Sequence, residues 1–127
     1  LVVPVLPSSA EELAAREPGE RSAEIRERVA RARATARRRL AGTAWRSNAD
    51  VPASDGVVEA LCRLTPAAER LLLALGKARA MSPRALHRLR RVARTIADLG
   101  SDDPRAAATE LHVAEAAQLR RLPDLAA

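Results

Sequence analysis

The sequence is nearly devoid of aromatic residues: its 127 residues include no Phe, no Tyr and one Trp, Trp45. The core must therefore be built from Leu, Val, Ile and Ala. Abundant Ala and Leu, together with 30% charged residues, favour a helical domain. The length suits one domain with a single core. We therefore expect an all-α fold, a small bundle of about four to five helices.

Residues that carry chemistry are also scarce. The one cysteine, Cys62, excludes an internal disulfide and is interpreted as a buried thiol. The two histidines, His87 and His112, stand in no HExxH or paired CxxC motif, so we expect no metal site. We interpret both as half-buried histidines bonded to loops. A GxxxxGK[ST] phosphate loop and a Ser–His–acid set are absent too. We therefore expect no catalytic residue in this stretch.

Long hydrophobic runs are missing as well. No apolar segment approaches the ~18 residues of a membrane span, so we expect no membrane partner and a cytoplasmic protein. The first run, LVVPVLP (1–7), is short and contains Pro4, which predicts an edge strand or an extended arm. It resembles the last strand of a sheet whose other strands lie elsewhere. The chain starts with Leu rather than Met, and we expect a fragment or a processed product.

Positive charge is plentiful. The formal net charge is +6, nearly all of the positive charge is arginine, and a GC-rich genome would explain part of this composition. A helix capped by Ser22 is predicted to run to about Leu40, with Gly42 after it. It carries eight arginines between positions 21 and 39. Its apolar stripe is thin: Ile25, Val29, Ala32, Ala36 and Leu40.

This basic helix has two interpretations. Its arginines form a solvated face, or they bind the phosphate backbone of nucleic acid with steep salt dependence. The candidate DNA contacts are Arg31, Arg37, Arg38 and Arg39.

The best-marked helix covers residues 83–99. Ser82 is predicted as its N-cap, Pro83 as its first residue, and Gly100 as a left-handed residue that stops it. The predicted apolar face consists of Leu86, Leu89, Val92, Ala93, Ile96 and Leu99. The predicted polar face carries Arg84, Arg88, Arg91 and Arg94. Arg84 lies in the first turn, where free N–H groups and the helix dipole favour anions.

Four further helices are predicted. The first is a short helix capped by Ser8 and Ser9 that runs through Glu11, Glu12 and Leu13. One is a short turn over 57–61, and one starts at Pro66 behind the cap Thr65 and ends near Gly76–Arg79. The last runs from Glu110 to about Leu122 behind the cap Thr109. Its inward residues are predicted to be Ala107, Leu111, Ala114 and Ala117. The segment 42–56 is irregular, and its Trp45 is interpreted as an anchor in the bundle, with base stacking as the alternative.

Three segments carry a family resemblance: RSAEIRERVARAR (21–33), LCRLTPAAERLLLALGKARAMSPRALHRLRRVARTIADL (61–99) and ELHVAEAAQLR (110–120). They resemble the C-terminal region of the magnesium-chelatase-like AAA+ ATPases, the ComM/YifB type. Two positions depart from the family pattern. Pro83 replaces a small residue, and Leu119 replaces an aromatic one. The loop 42–56 departs as well.

The resemblance implies a domain division and a site. Residues 1–20 would be an extended arm and linker from a missing N-terminal AAA+ core, 21–123 the helical lid, and 124–127 a tail. Arg84 would be the sensor-2 arginine, which contacts the phosphates of the nucleotide. ATP and Mg²⁺ would bind the full-length protein, with no cofactor in this fragment. The implied partners are the core, neighbouring subunits of a hexameric ring, and DNA for branch migration.

Two alternatives stand beside this interpretation. The chain could be a stand-alone basic helical module that binds DNA through residues 21–39. It could also belong to the motor subunit of a metal chelatase that acts on a porphyrin.

Overall fold

The computed structural model describes residues 1, 3, 5, 7–15, 19–54 and 56–120. Within these ranges the protein is all-helical and contains no strand, as the composition predicts. Its six helices are α1 (Ala10–Ala15), α2 (Ser22–Arg39), α3 (Val57–Leu61), α4 (Pro66–Ala78), α5 (Pro83–Gly100) and α6 (Glu110–Gln118). The bundle itself uses five of them, α2 to α6.

Helix α5 lies at the centre of the bundle and packs against α2, α3, α4 and α6. Helices α4 and α6 also pack against each other. A short parallel bridge ties the segments before α4 and α6, since the Thr65 N–H donates to the Ala108 carbonyl over 2.9 Å. Ala108 in turn donates to the Arg63 carbonyl over 2.9 Å. This bridge sets where α4 and α6 begin relative to each other.

The main core cluster lies between α4, α5 and α6. Its buried members are Ala68, Leu72, Leu89, Ala93, Val113, Ala116 and Ala117. Many of these are alanines, so the helices can approach closely without aromatic side chains. The predicted caps of α4 and α5 are confirmed: the Thr65 hydroxyl accepts from Ala68 N–H over 3.2 Å, and the Ser82 hydroxyl accepts from Ala85 N–H over 3.3 Å.

A second cluster lies where the end of α2, the irregular segment and α3 meet. It buries Leu40, Val51, Val58 and Cys62, with Trp45 packed against it. The interpretation of Trp45 as an anchor is therefore confirmed, and Cys62 is the buried thiol that was expected. Burial raises the pKa of this thiol, although nearby arginines act in the opposite direction.

Two predicted helix caps are wrong. Ser22 is the first residue of α2 rather than its cap, since Arg21 has the extended backbone of the N-cap and its N–H donates to the Glu24 carboxylate over 3.3 Å. Gly100 lies inside the last turn of α5 and has no positive φ; the helix ends at the extended Ser101. Gly42, by contrast, has a φ of +81° and turns the chain after α2.

Two predicted apolar faces are also wrong in part. Leu99 is exposed, because the buried positions of α5 advance in four-residue steps to Ala97 and Asp98, and Leu99 lies about 100° further round the helix. In α6, Leu111 and Ala114 are exposed, whereas Val113, Ala116 and Ala117 are buried. The prediction for Ala117 is confirmed, but packing against both α4 and α5 turns the inward face of α6 away from Leu111 and Ala114.

Helix α2 packs through its second half alone. Ala32, Ala36 and Leu40 are buried, whereas every residue from 21 to 31 is exposed, including Ile25 and Val29 of the predicted stripe. Before α2, residues 1, 3 and 5 have neither helix nor strand and are exposed. Helix α6 ends at Gln118 with Leu119 as its C-cap, so the predicted end near Leu122 is wrong. Pro4 and the predicted tail, residues 124–127, lie outside the described residues.

Candidate functional site

Arg84 lies at the second position of α5, directly after Pro83. The extended Ser82 and the fixed φ of proline set the start of the helix, so the position of Arg84 follows from local sequence. Its side chain is exposed, and no hydrogen bond or ion pair joins it to a described residue. The guanidinium is therefore free to bind an anion through two parallel N–H bonds.

The turn between α4 and α5 fixes the direction in which α5 begins. Gly76 packs so close to α5 that a Cβ there would lie 2.9 Å from Leu86 Cδ2. The Met81 N–H donates to the Gly76 carbonyl over 2.9 Å, and Ala80 adopts a left-handed backbone with a φ of 45°. These contacts attach the first turn of α5, and hence Arg84, firmly to α4.

The other end of α5 carries a buried ionic cluster. Asp98 accepts two bonds from Arg39 of α2, from NH1 over 2.6 Å and from NH2 over 2.7 Å. It also accepts from Asn48 Nδ2 over 2.9 Å, and Arg94 NH2 lies 3.0 Å from its Oδ1. All three charged side chains are at most 9% exposed. We call Arg39, Asn48, Arg94 and Asp98 the Asp98 cluster.

The Asp98 cluster has more positive than negative charge. Two guanidinium groups share one carboxylate, and burial lowers the pKa of Arg94 even though Asp98 acts to raise it. Arg94 also donates to the Ala106 carbonyl, which ties α5 to the loop before α6. A bonded, desolvated cluster of this kind fixes the relative positions of α2, α5 and both loops.

A second ionic contact joins α4 to α5. Arg90 is buried and binds Glu69 through two parallel bonds, NH1 to Oε1 over 2.5 Å and NH2 to Oε2 over 2.6 Å. Sequence reasoning missed this pair, and it placed Arg94 on the polar face, which is wrong. A signal was present: positions 90, 94 and 98 follow each other at four-residue steps beside the apolar positions 89, 93 and 97.

The candidate DNA contacts on α2 have different environments. Arg31 and Arg37 are exposed and make no bond to a described residue. Arg38 is exposed but donates to the Asp102 carbonyl over 2.5 Å and to the Thr35 hydroxyl over 3.3 Å. Arg39 belongs to the buried Asp98 cluster and does not face solvent as a contact to DNA requires.

Both histidines are half-buried. His87 Nδ1 lies 3.6 Å from the Glu59 carboxylate of α3, rather than against a loop. His112 Nδ1 accepts from the Thr109 N–H over 2.9 Å at the start of α6. Among the described residues, no three His, Cys, Asp or Glu side chains are grouped so that they could hold a metal ion. None of the described helices is long and apolar enough to cross a membrane.

Residues 19–120 match the protein-family model described as magnesium chelatase, subunit ChlI C-terminal. The match contains α2 to α6, the Asp98 cluster and Arg84. The searches of curated proteins and of solved structures found no match.

Proposed function

We propose that Arg84 is the sensor-2 arginine of this chain, which belongs to the magnesium chelatase, subunit ChlI C-terminal family. The chain therefore forms the helical lid of a magnesium-chelatase-like AAA+ protein. In this role the Arg84 guanidinium contacts the phosphates of ATP held by the AAA+ core. The observation that supports the proposal most strongly is that Arg84 is exposed and unpaired on the capped first turn of α5.

The rest of the domain supplies rigidity for this contact. Arg84 is fixed to α4 by the tight turn, and α5 is fixed to α2 by Arg39 and Asp98. A force on Arg84 would therefore rotate the bundle as one body. We assign residues 1–20 to an arm and linker from the core, 21–123 to the lid, and 124–127 to a tail. The boundary near 20 agrees with the start of the family match at residue 19.

We assign the cofactors and the ring to the full-length protein. ATP and Mg²⁺ are held by the core, and the Arg84 guanidinium, which suits a phosphate, reaches the nucleotide from the lid. Neighbouring subunits, in a hexamer, bring the lid of one subunit to the nucleotide. ATP supplies the phosphate charge to which Arg84 responds.

The test is ATP hydrolysis by the chain joined to its AAA+ core. Arg84→Ala should lower turnover by roughly tenfold or more, because a charged hydrogen bond to phosphate is lost. Arg88→Ala is the matched control, since Arg88 is also exposed on α5 and one turn away. Turnover at the wild-type level in Arg84→Ala would show that Arg84 is not the sensor.

We further propose that the parent protein is of the ComM/YifB type and remodels DNA. The support is the net charge of +6 and the exposed, unpaired Arg31 and Arg37 on α2. Each phosphate contact should contribute about 0.9 to the slope of log K against log salt concentration. Arg31→Gln with Arg37→Gln should therefore reduce that slope by roughly two, measured by filter binding of duplex DNA. Arg70→Gln, on the exposed face of α4, is the control.

The family description also names magnesium chelatase, so a chelatase motor subunit is the second candidate. The two candidates differ in what stimulates ATP hydrolysis by the full-length protein. Stimulation by DNA supports remodelling. Stimulation by a porphyrin with its partner subunits supports chelation and contradicts the DNA proposal.

A further inference from the structure

A groove formed by described residues lies away from Arg84. It has a volume of about 1020 Å³, and its walls come from α2, the loop 42–49 and the end of α5. Along α2 it extends from Val29 to Leu40, which corresponds to roughly 16 Å, or three helical turns. We call it the α2 groove.

The interior of the α2 groove is mainly apolar. The side chains that give it this character are Val29, Ala32, Ala36, Leu40, Trp45 and Leu99. Leu99 is 45% exposed, and Ile25, which continues the stripe beyond the groove, is 41% exposed. Val29 is 36% exposed, so exposed apolar side chains of α2 and α5 lie at the groove beside its buried alanines. Grouped exposed apolar side chains are typical of a surface that another molecule covers.

The edges of the α2 groove are positively charged. Arg33 and Arg37 follow each other one turn apart on α2, and Arg46 lies on the loop. All three are exposed, and none of their guanidinium groups bonds to a described residue. The carboxylate that lines the groove is Asp98, which is already bound by Arg39 and Asn48. The three arginines therefore present unneutralised charge around an apolar floor.

From this complementarity we infer that the α2 groove docks an amphipathic acidic helix of a partner protein. The apolar face of such a helix would cover Val29 and Leu99 and pack against the edge of Trp45. Its carboxylates would pair with Arg33, Arg37 and Arg46. A groove of about three turns matches the helix-in-groove mode, in which anchors recur every three to four residues. The inference is independent of the role proposed for Arg84, whereas Arg37 cannot bind the partner helix and the proposed DNA at the same time.

Nucleic acid fits this groove less well. Its floor is apolar, and phosphates would have to be desolvated against it at high cost. Stacking of successive bases needs several aromatic side chains, and Trp45 is the one Trp of a chain without Phe or Tyr.

Trp45 makes the test direct because the one tryptophan lines the groove. The probe is a designed helical peptide of roughly 14 residues, with Leu on one face and Glu on both flanks. Two comparison peptides replace every Glu by Gln or by Lys. We expect the Glu peptide to bind with a Kd on the order of 10 μM and to change the Trp45 emission. The Gln peptide should bind more weakly, and the Lys peptide should not bind.

Variants of the protein distinguish binding in the α2 groove from nonspecific attraction to its basic surface. Arg33→Gln with Arg46→Gln should weaken binding of the Glu peptide roughly tenfold, since two partly shielded ion pairs are lost. Arg31→Gln is the matched control, because Arg31 is exposed on the same helix but does not line the groove. Circular dichroism checks that each variant keeps its helix content.

Three results would overturn the inference. The first is equal binding of the Glu and Gln peptides, which would make the contact purely apolar. The second is that Arg31→Gln weakens binding of the Glu peptide as much as Arg33→Gln with Arg46→Gln does, which would make the attraction between peptide and protein a nonspecific effect of charge. The third is displacement of the peptide by oligothymidylate, with the same sensitivity to Arg33→Gln and Arg46→Gln, which would make the groove a nucleic-acid site.

Discussion

The two ends of α5 carry arginines in opposite states. Arg84, in the first turn, is exposed and unpaired, whereas Arg94, ten residues later, is buried beside Asp98. Both lie on a helix whose sequence alternates apolar and basic residues, and both were predicted on its polar face. The difference arises because α2 and the loop 101–109 cover the second half of α5 and leave its first turn open.

We therefore infer that the two ends of α5 have different roles, one in stability and one in ligand binding. The buried end holds the bundle together through Arg39, Arg94 and Asp98, while the open end keeps a charge available for a ligand. Substitution of the buried ionic side chains should therefore change stability, and substitution of Arg84 should change function. Three predictions concern the two ends of α5, in order of decreasing effect.

The largest effect is expected at Asp98. Asp98→Asn leaves the Arg39 and Arg94 guanidinium groups buried without a counter-ion. It should lower the free energy of unfolding by about 3–5 kcal/mol, measured by urea denaturation. Arg84→Ala should change it by less than about 0.5 kcal/mol. Equal losses in the two variants would contradict the division between the ends of α5.

A smaller effect is expected at the start of α5. Ser82→Ala removes the hydroxyl that accepts from the Ala85 N–H and should cost about 1 kcal/mol in the free energy of unfolding.

Ser22→Ala is the matched control for this cap. Ser22 was predicted to cap α2 but lies inside it, where Ala is an equally good or better helix former. Ser22→Ala should therefore leave the free energy of unfolding nearly unchanged. A decrease as large as that in Ser82→Ala would show that Ser22 caps α2 after all.

The smallest effect concerns the end of α5. Gly100 has a helical backbone, and a Cβ there would meet no atom within 4 Å. Gly100→Ala should therefore raise the free energy of unfolding by about 0.5–1 kcal/mol, measured by thermal or urea denaturation. Gly42→Ala provides the contrast, because the φ of +81° at Gly42 disfavours any residue with a Cβ. A loss in Gly100→Ala would indicate a left-handed stop, as the sequence predicts.

Much of the fold was predictable because its signals are local. The caps Thr65 and Ser82, the prolines that follow them, and the apolar spacing of α4 and α5 all act within one or two turns. Arg84 was predictable for the same reason, since its place in the first turn depends on Ser82 and Pro83 alone. Its role as a sensor stays a prediction.

The errors fall where distant segments meet. The inward face of α6 and the exposure of Leu99 depend on which neighbours each helix touches, and periodicity within one helix does not contain that information. The same holds for Arg39. In the sequence it is one of several basic residues of α2, and its ion pair with Asp98 forms because α5 packs against α2. No sequence spacing connects residues 39, 48 and 98.

By itself, then, the sequence determined that this protein is helical, where α4 and α5 begin, and that an arginine occupies the first turn of α5. Hydrogen bonds and side-chain spacings within a few residues are sufficient for these features. Only the tertiary structure decided which arginines are buried in ion pairs and which remain free on the α5 turn and around the α2 groove. That outcome depends on desolvation by segments far away in the chain, and charge alone does not reveal it.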